Sequence, residues 1–380
     1  MAAGLYVHIP FCARRCSYCD FYAEVQGLGI RERTVDAILG EARLRGGAWG
    51  GVLFDSVFVG GGTPSHLGSA LLGRLLAGLR DALPIAAGAE WTLEANPESA
   101  DEEVLDAALA GGANRLSLGV QSFDDKELAS LGRLHDSNGA VEAVLRARHA
   151  GFENLNLDLI YALPLSEGER SWERSLRVAV GQAPEHLSCY LLDLEPHVAL
   201  ARDCALGMQE LPGEQLARKE YETARRLLAS AGFEQYEISN WARPGSECRH
   251  NLNVWEGGVY LGLGPGAHGH HDGLRRANLP GLFPYLDALE HGGDAPHETS
   301  PIDERTRREE ALLLGLRLRD GIAWDRLDLV GGVPWARMIR ERAARWTRDG
   351  LLEDDGVRLR LGEQGLFVSN AVMAELLGSR

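Results

Sequence analysis

Long apolar runs are missing from this 380-residue chain. No segment approaches the roughly 20 apolar residues that a membrane-spanning helix needs, so an integral membrane protein is not expected. The opening MAAGLYVHIPF has neither a basic n-region nor an apolar h-region, and the expected location is cytoplasmic. Basic charge is in deficit: 39 Lys and Arg stand against 55 Asp and Glu, a net charge of −16. Nucleic-acid binding depends on cationic contacts to phosphate, so this balance argues against it as the main task. Cysteine is scarce, at six residues. So few in a chain this long make no disulfide scaffold, and in a reducing compartment they read as metal or redox ligands. The chain shows no internal repeat and no low-complexity segment. What is present, 45% hydrophobic and 25% charged residues, is enough for a large core. The length predicts a large domain with a smaller one, or two of medium size.

Strand and helix patterns alternate along the first half. Strands are expected at Leu5–Ile9, Ser56–Val59, Glu90–Ala95, Arg115–Val120, Leu155–Ile160 and Leu187–Leu192. Helices are expected at Thr34–Arg45, Ala70–Ala82, Glu102–Ala110, Lys126–Leu131, Gly139–Ala150 and Ser171–Gly181. Such alternation implies parallel strands with right-handed crossovers. The expected fold class is α/β, an incomplete (βα)6 barrel, although periodicity alone does not separate it from a doubly wound sheet. Each strand runs into a polar or glycine-bearing loop, and the C-terminal ends of parallel strands make the active face of such folds. The expected organisation is a core barrel over 1–235, a connecting region over 236–300 and a C-terminal module over 301–380. That module reads as helix Glu304–Leu318, helix Trp335–Asp349, a hairpin through Leu351–Leu361 and a last helix. This α+β pattern is winged-helix-like, and the acidic balance favours a packing or lid role for it over DNA binding.

Three of the cysteines are close neighbours in C-x3-C-x2-C spacing, Cys12, Cys16 and Cys19. Three thiolates on one short loop reach three corners of an iron–sulfur cubane, where an ordinary ferredoxin site supplies four. One iron is then open to a small molecule. Arg14 and Arg15 inside the loop favour thiolates. Structural zinc is the competing reading; it usually draws a second knuckle from elsewhere, for which only Cys248 or His250 is on offer. Glycines at 60, 61 and 62, followed by Thr63 and Pro64, permit close backbone approach to a ligand.

These motifs resemble the radical S-adenosylmethionine superfamily. More narrowly, they resemble its branch of oxygen-independent coproporphyrinogen dehydrogenases and haem chaperones, with matches from Tyr6 to about His268. The resemblance implies a [4Fe–4S] cluster on Cys12, Cys16 and Cys19 as metal ligands. It implies S-adenosylmethionine chelated to the open iron through its amino and carboxylate groups. Gly61, Gly62 and Thr63 then contact the methionine part, and Tyr6, Tyr18, Glu94, Gln121, Arg133 and Asp158 line the same region. The cofactors supply the chemistry and the protein supplies position and exclusion of water. No residue is assigned as a protein acid or base.

Two functions remain open within that branch. The dehydrogenases carry a further cysteine two positions after the third; here that position is Phe21, which is like the chaperones. The chaperones also show an H-N-x-x-Y-W motif proposed to take part in haem binding, matched here by His250 through Trp255 but with Val254 in place of the tyrosine. Histidine is a natural axial ligand for haem iron. The favoured expectation is a haem chaperone that binds the cluster, S-adenosylmethionine and haem, and hands haem to acceptor proteins. An electron donor is implied if S-adenosylmethionine is cleaved, and the resemblance admits a homodimer. The alternative is the dehydrogenase. Cys189 reads as core, Cys204 is unassigned, and His270–His271 reads as solvated.

Overall fold

The computed structural model of the protein describes residues 2–164 and 170–378. The strands β1 (Ala2–Ile9), β2 (Leu53–Gly61), β3 (Ile85–Ala95), β4 (Arg115–Gln121), β5 (Asn154–Tyr161) and β6 (His186–Leu191) pair in sequence order, all parallel. Between them run helices α1 (Leu28–Gly46), α2 (Ser69–Ala82), α3 (Glu102–Ala110), α4 (Asp125–Ser130), α5 (Ser137–Ala150) and α6 (Trp172–Gly181). Aspartates cap three of them: Asp101, Asp124 and Asp136 accept hydrogen bonds from first-turn N–H groups.

The strand alternation explains how the sheet curls. Leu5, Val7 and Ile9, then Val57 and Val59, Leu116 and Leu118, and Leu155, Leu157 and Leu159 are buried in the main apolar core. Many of the alternate residues are polar: His8, Ser56, Glu90, Thr92, Glu94, Arg115, Ser117, Asn156, Asp158 and His186. Parallel sheets are usually apolar on both faces. Here the polar face is the inside of a curved sheet, and its groups bond to one another across neighbouring strands.

The chain continues with α7 (Ala199–Ala205), α8 (Glu214–Ser230), β7 (Glu234–Gln235), β8 (Asn240–Ala242), α9 (Arg249–Trp255), β9 (Tyr260–Leu263), β10 (His268–His271), β11 (Leu274–Asn278), α10 (Leu282–Glu290) and β12 (His297–Pro301). The region after 235 extends the sheet at both edges. β8 pairs antiparallel with β6, and β9 pairs parallel with β1. The 12-stranded order is β12-β11-β10-β9-β1-β2-β3-β4-β5-β6-β8-β7, so the barrel stays open, as an incomplete barrel should.

The last part holds α11 (Glu304–Arg317), β13 (Ile322–Ala323), α12 (Trp324–Gly331), α13 (Val333–Arg348), β14 (Leu352–Asp354), β15 (Arg358–Leu361) and α14 (Ser369–Leu377). Its three strands pair in the order β13-β15-β14. Sequence periodicity misses α7, α8, α9, α10 and α12 and the short strands β7 to β13. β13 has only two residues, and α12 is short and stops at paired glycines, so neither spans a full pattern.

Candidate functional site

A cavity of about 360 Å³ opens at the C-terminal ends of the strands. Its walls include Cys12, Cys16 and Cys19, the turn Gly61–Thr63, and Tyr18, Glu94, Gln121, Arg133 and Asp158. Of the residues expected at the site, Tyr6 and His250 are the two that do not line it.

Local bonding fixes the cysteine loop. Cys12 N–H donates to Glu24 O at 3.1 Å, and Ser17 N–H donates to Leu131 O at 3.2 Å. Leu200 N–H, from α7, donates back to Ser17 O at 2.8 Å. Tyr18 packs on a small separate apolar cluster of Leu131, Ile160, Leu163, Leu192 and Leu200. The loop is therefore seated on β5, β6 and α7, elements far away in sequence.

The glycine turn leaves no room for side chains. A Cβ on Gly62 would stand 2.6 Å from Phe11 O and 2.8 Å from Phe11 N. Thr63 N–H donates to Phe11 O at 2.6 Å, which ties this turn to the residue before Cys12. Thr63 Oγ1 then donates to Cys12 Sγ at 3.4 Å.

Arg133 is the hub of the far wall. Its Nη2 donates to Asn96 Oδ1 at 2.7 Å and to Gly119 O at 2.6 Å, and its Nη1 lies 3.5 Å from Cys16 Sγ. Asn96 in turn donates to Thr63 Oγ1 at 3.0 Å. Asn96 and Gly119 escape motif reading: Asn96 stands just past the end of β3, and Gly119 at the irregularity in β4 before Gln121. Gln121 has φ of 67°, in the left-handed region that costs a non-glycine residue about 1–3 kcal/mol.

The floor is acidic. Glu94 accepts a hydrogen bond from Gly61 N–H at 3.0 Å. Burial first, and then the Asp158 charge, push its carboxyl up to about 8. Asp158 is raised by burial although Asn156 and Ser117 donate to it at 2.9 and 3.0 Å. Burial likewise pushes the Cys19 thiol up to about 11. Burial thus disfavours the ionised forms of Glu94, Cys12 and Cys19, and a nearby positive charge favours them.

The residues fit the groups that the resemblance implies. Three half-buried thiols share one wall, two of them already accept hydrogen bonds, and the buried Arg133 Nε has no partner. Among the described residues, no three His, Cys, Asp or Glu side chains gather closely enough for a single metal ion, as zinc would require.

Tyr6 and His250 lie deeper in the barrel. His8 Nε2–H donates to the Tyr22 carbonyl at 2.9 Å, so in the neutral ring Nδ1 accepts from the Tyr6 hydroxyl, also at 2.9 Å. His250 is buried on α9, its Nδ1 3.2 Å from Ser56 Oγ and its ring 5.3 Å from that of Phe58. A Cβ on Gly4 would come within 3.0 Å of His250 Cε1. Burial pulls the imidazole down to about 4. Glu90 anchors the start of α9, accepting from Arg249 N–H at 3.1 Å, from His250 N–H at 3.2 Å and from the Cys248 thiol at 3.5 Å. Packed in this way, the ring presents no open face to a macrocycle. Cys189 is in the core, and Cys204 is half-buried on α7.

The Radical SAM superfamily model matches residues 6–173, and the HemN C-terminal domain model matches residues 302–368. The chain is 39% identical over 378 residues to the haem chaperone HemW of Mycobacterium tuberculosis, covering 99% of this chain and 95% of that one. It is 36% identical over 351 residues to the haem chaperone HemW of a Synechocystis species, covering 89% and 84%. The chain belongs to the HemW family of radical S-adenosylmethionine proteins. The solved coproporphyrinogen III oxidase HemN of Escherichia coli has the same fold, with a TM-score of 0.86 at 24% identity over 100% of this chain and 90% of that one. Among the described residues, no helix is long and apolar enough to cross a membrane.

Proposed function

We propose that the protein is a haem chaperone of the radical S-adenosylmethionine type, which binds haem and passes it to acceptor proteins in the cytoplasm. The similarity over nearly the full length to proteins named haem chaperone HemW carries this reading. Phe21 supports it, because an aromatic side chain stands at the cavity where the dehydrogenases have a further cysteine.

In this reading Cys12, Cys16 and Cys19 hold a [4Fe–4S] cluster. Gly61, Gly62, Thr63, Glu94, Gln121, Arg133 and Asp158 receive S-adenosylmethionine, with Tyr18 in the wall and Tyr6 holding His8 beneath. Bound together, the two cofactors supply one-electron chemistry. The protein's own groups prepare the site. The Thr63 hydroxyl and the Arg133 guanidinium donate to sulfur and favour thiolate. Glu94 and Asp158 offer carboxylates to an ammonium or to hydroxyls. The 1–235 core, the 236–300 connection and the 301–380 module are proposed as its working parts, the last as a packing element.

The test is turnover. Reconstituted protein is incubated anaerobically with coproporphyrinogen III, S-adenosylmethionine and a reductant. The expected result is no protoporphyrinogen beyond stoichiometric amounts, together with transfer of bound haem to an apo haem protein. Multiple-turnover protoporphyrinogen formation would replace the chaperone with the dehydrogenase.

A further inference from the structure

A haem chaperone needs a haem site, and His250 is enclosed between β1, β2 and α9 rather than open to a ligand. Resting on the chaperone reading, we infer that haem is received at the mouth of the cysteine cavity, its apolar edge against Phe21, Tyr190 and Leu191 and its propionates toward Arg14 and Arg15.

Exposure is the first observation. Phe21 is 65% exposed, Leu191 45% and Tyr190 40%, and all three line the one cavity. They come from different segments, the cysteine loop and the end of β6, so their meeting is a product of the fold. Exposed apolar groups gathered around a cavity mark a ligand or partner site.

Charge is the second observation. Arg14 and Arg15 are consecutive, exposed and part of the same lining, in a protein of net charge −16. Among the described residues, no carboxylate pairs with either. Asp20 and Asp193 also face the mouth and repel propionates. The acid edge of a porphyrin is thereby directed to the arginine side. An apolar plate with two carboxylates on one edge matches this distribution, and a wholly polar ligand does not.

Size is the third. About 360 Å³ is near the lower end of ligand pockets, roughly 300–1,000 Å³. S-adenosylmethionine takes the interior, so a macrocycle rests over the mouth, partly exposed. A partly exposed ligand is one that an acceptor protein can reach. His250, buried beneath Tyr6 and Phe58, has no comparable access.

The test is a haem titration followed by absorbance on the full-length reconstituted protein. Wild type is compared with Phe21→Asp, Leu191→Asp, the double variant Arg14→Glu/Arg15→Glu, and Leu329→Asp as a distant control on α12. Iron content and far-ultraviolet circular dichroism are measured on each. Expected is at least about tenfold weaker binding in the three mouth variants and unchanged binding in the control. Leu191→Asp keeps the test valid should Phe21→Asp disturb the cysteine loop. If wild type does not bind haem, the chaperone reading itself fails. If wild type binds and the mouth variants bind equally well, this site alone is overturned.

Discussion

Glu94 shows how much a single residue's environment decides. In sequence it is one carboxylate among many. In the fold it lies under the glycine turn, beside Asp158, and its carboxyl is pushed up from 4.5 to about 8. The ionised form is the disfavoured one in the folded protein. As pH rises from 4.5 toward about 8, an unfolded chain ionises this group while the folded chain resists. Its contribution to stability is therefore fully present below 4.5 and is lost as pH approaches about 8. We expect Glu94→Gln, free of cluster and S-adenosylmethionine, to melt with a flatter pH dependence across that window than wild type. The same variant should bind S-adenosylmethionine at least about tenfold more weakly by calorimetry, since it lacks a carboxylate for the ammonium. Equal pH profiles would place the raised carboxyl elsewhere.

At the scale of elements, the two loops after β1 and β2 behave as one unit. Gly62 N–H donates to Ile9 O at 2.8 Å and Thr63 N–H to Phe11 O at 2.6 Å, so the glycine turn is strapped to the chain that enters the cysteine loop. The three atoms nearest a methyl group on Gly62 would all be backbone, Phe11 O, Phe11 N and Ile9 O, which cannot rotate away. Gly62→Ala should cost about 1–3 kcal/mol, as overpacking does. It should also displace Cys12 relative to Cys16 and Cys19, and so retain markedly less iron and sulfide after reconstitution. Wild-type iron content in that variant would show that the strap does not position the loop. The glycines were legible as a close-approach motif, but the atoms they approach were not, because Phe11 meets them only through the parallel pairing of β1 with β2.

At the scale of the molecule, the C-terminal module is joined to the barrel by α9 and α11. Trp255 at the end of α9 stacks under Arg317 at 4.3 Å, and Arg317 reaches the fully buried Glu237 at 3.4 Å. One apolar core runs continuously from Ala3 in β1 to Leu376 in α14. Shared cores unfold together, so calorimetry of the cofactor-free protein should give one cooperative transition. Two resolved transitions, with the first removed by deleting the module, would show that it folds as an independent unit. Trp255 also places the His250 segment in this joint: α9 packs on β1 and β2 and connects them to α11.

The cysteine spacing, the strand–helix alternation and the family were all legible in the order of residues. Those are local patterns, set by chemistry within a few residues or by period along one element. Folding in three dimensions was needed for Asn96 and Gly119 to hold Arg133, for His250 to be enclosed, and for Phe21 to share a mouth with Tyr190 and Leu191. Each of these depends on contacts between segments far apart in the chain, and on burial, which changes what an acid, an imidazole or an aromatic ring can do.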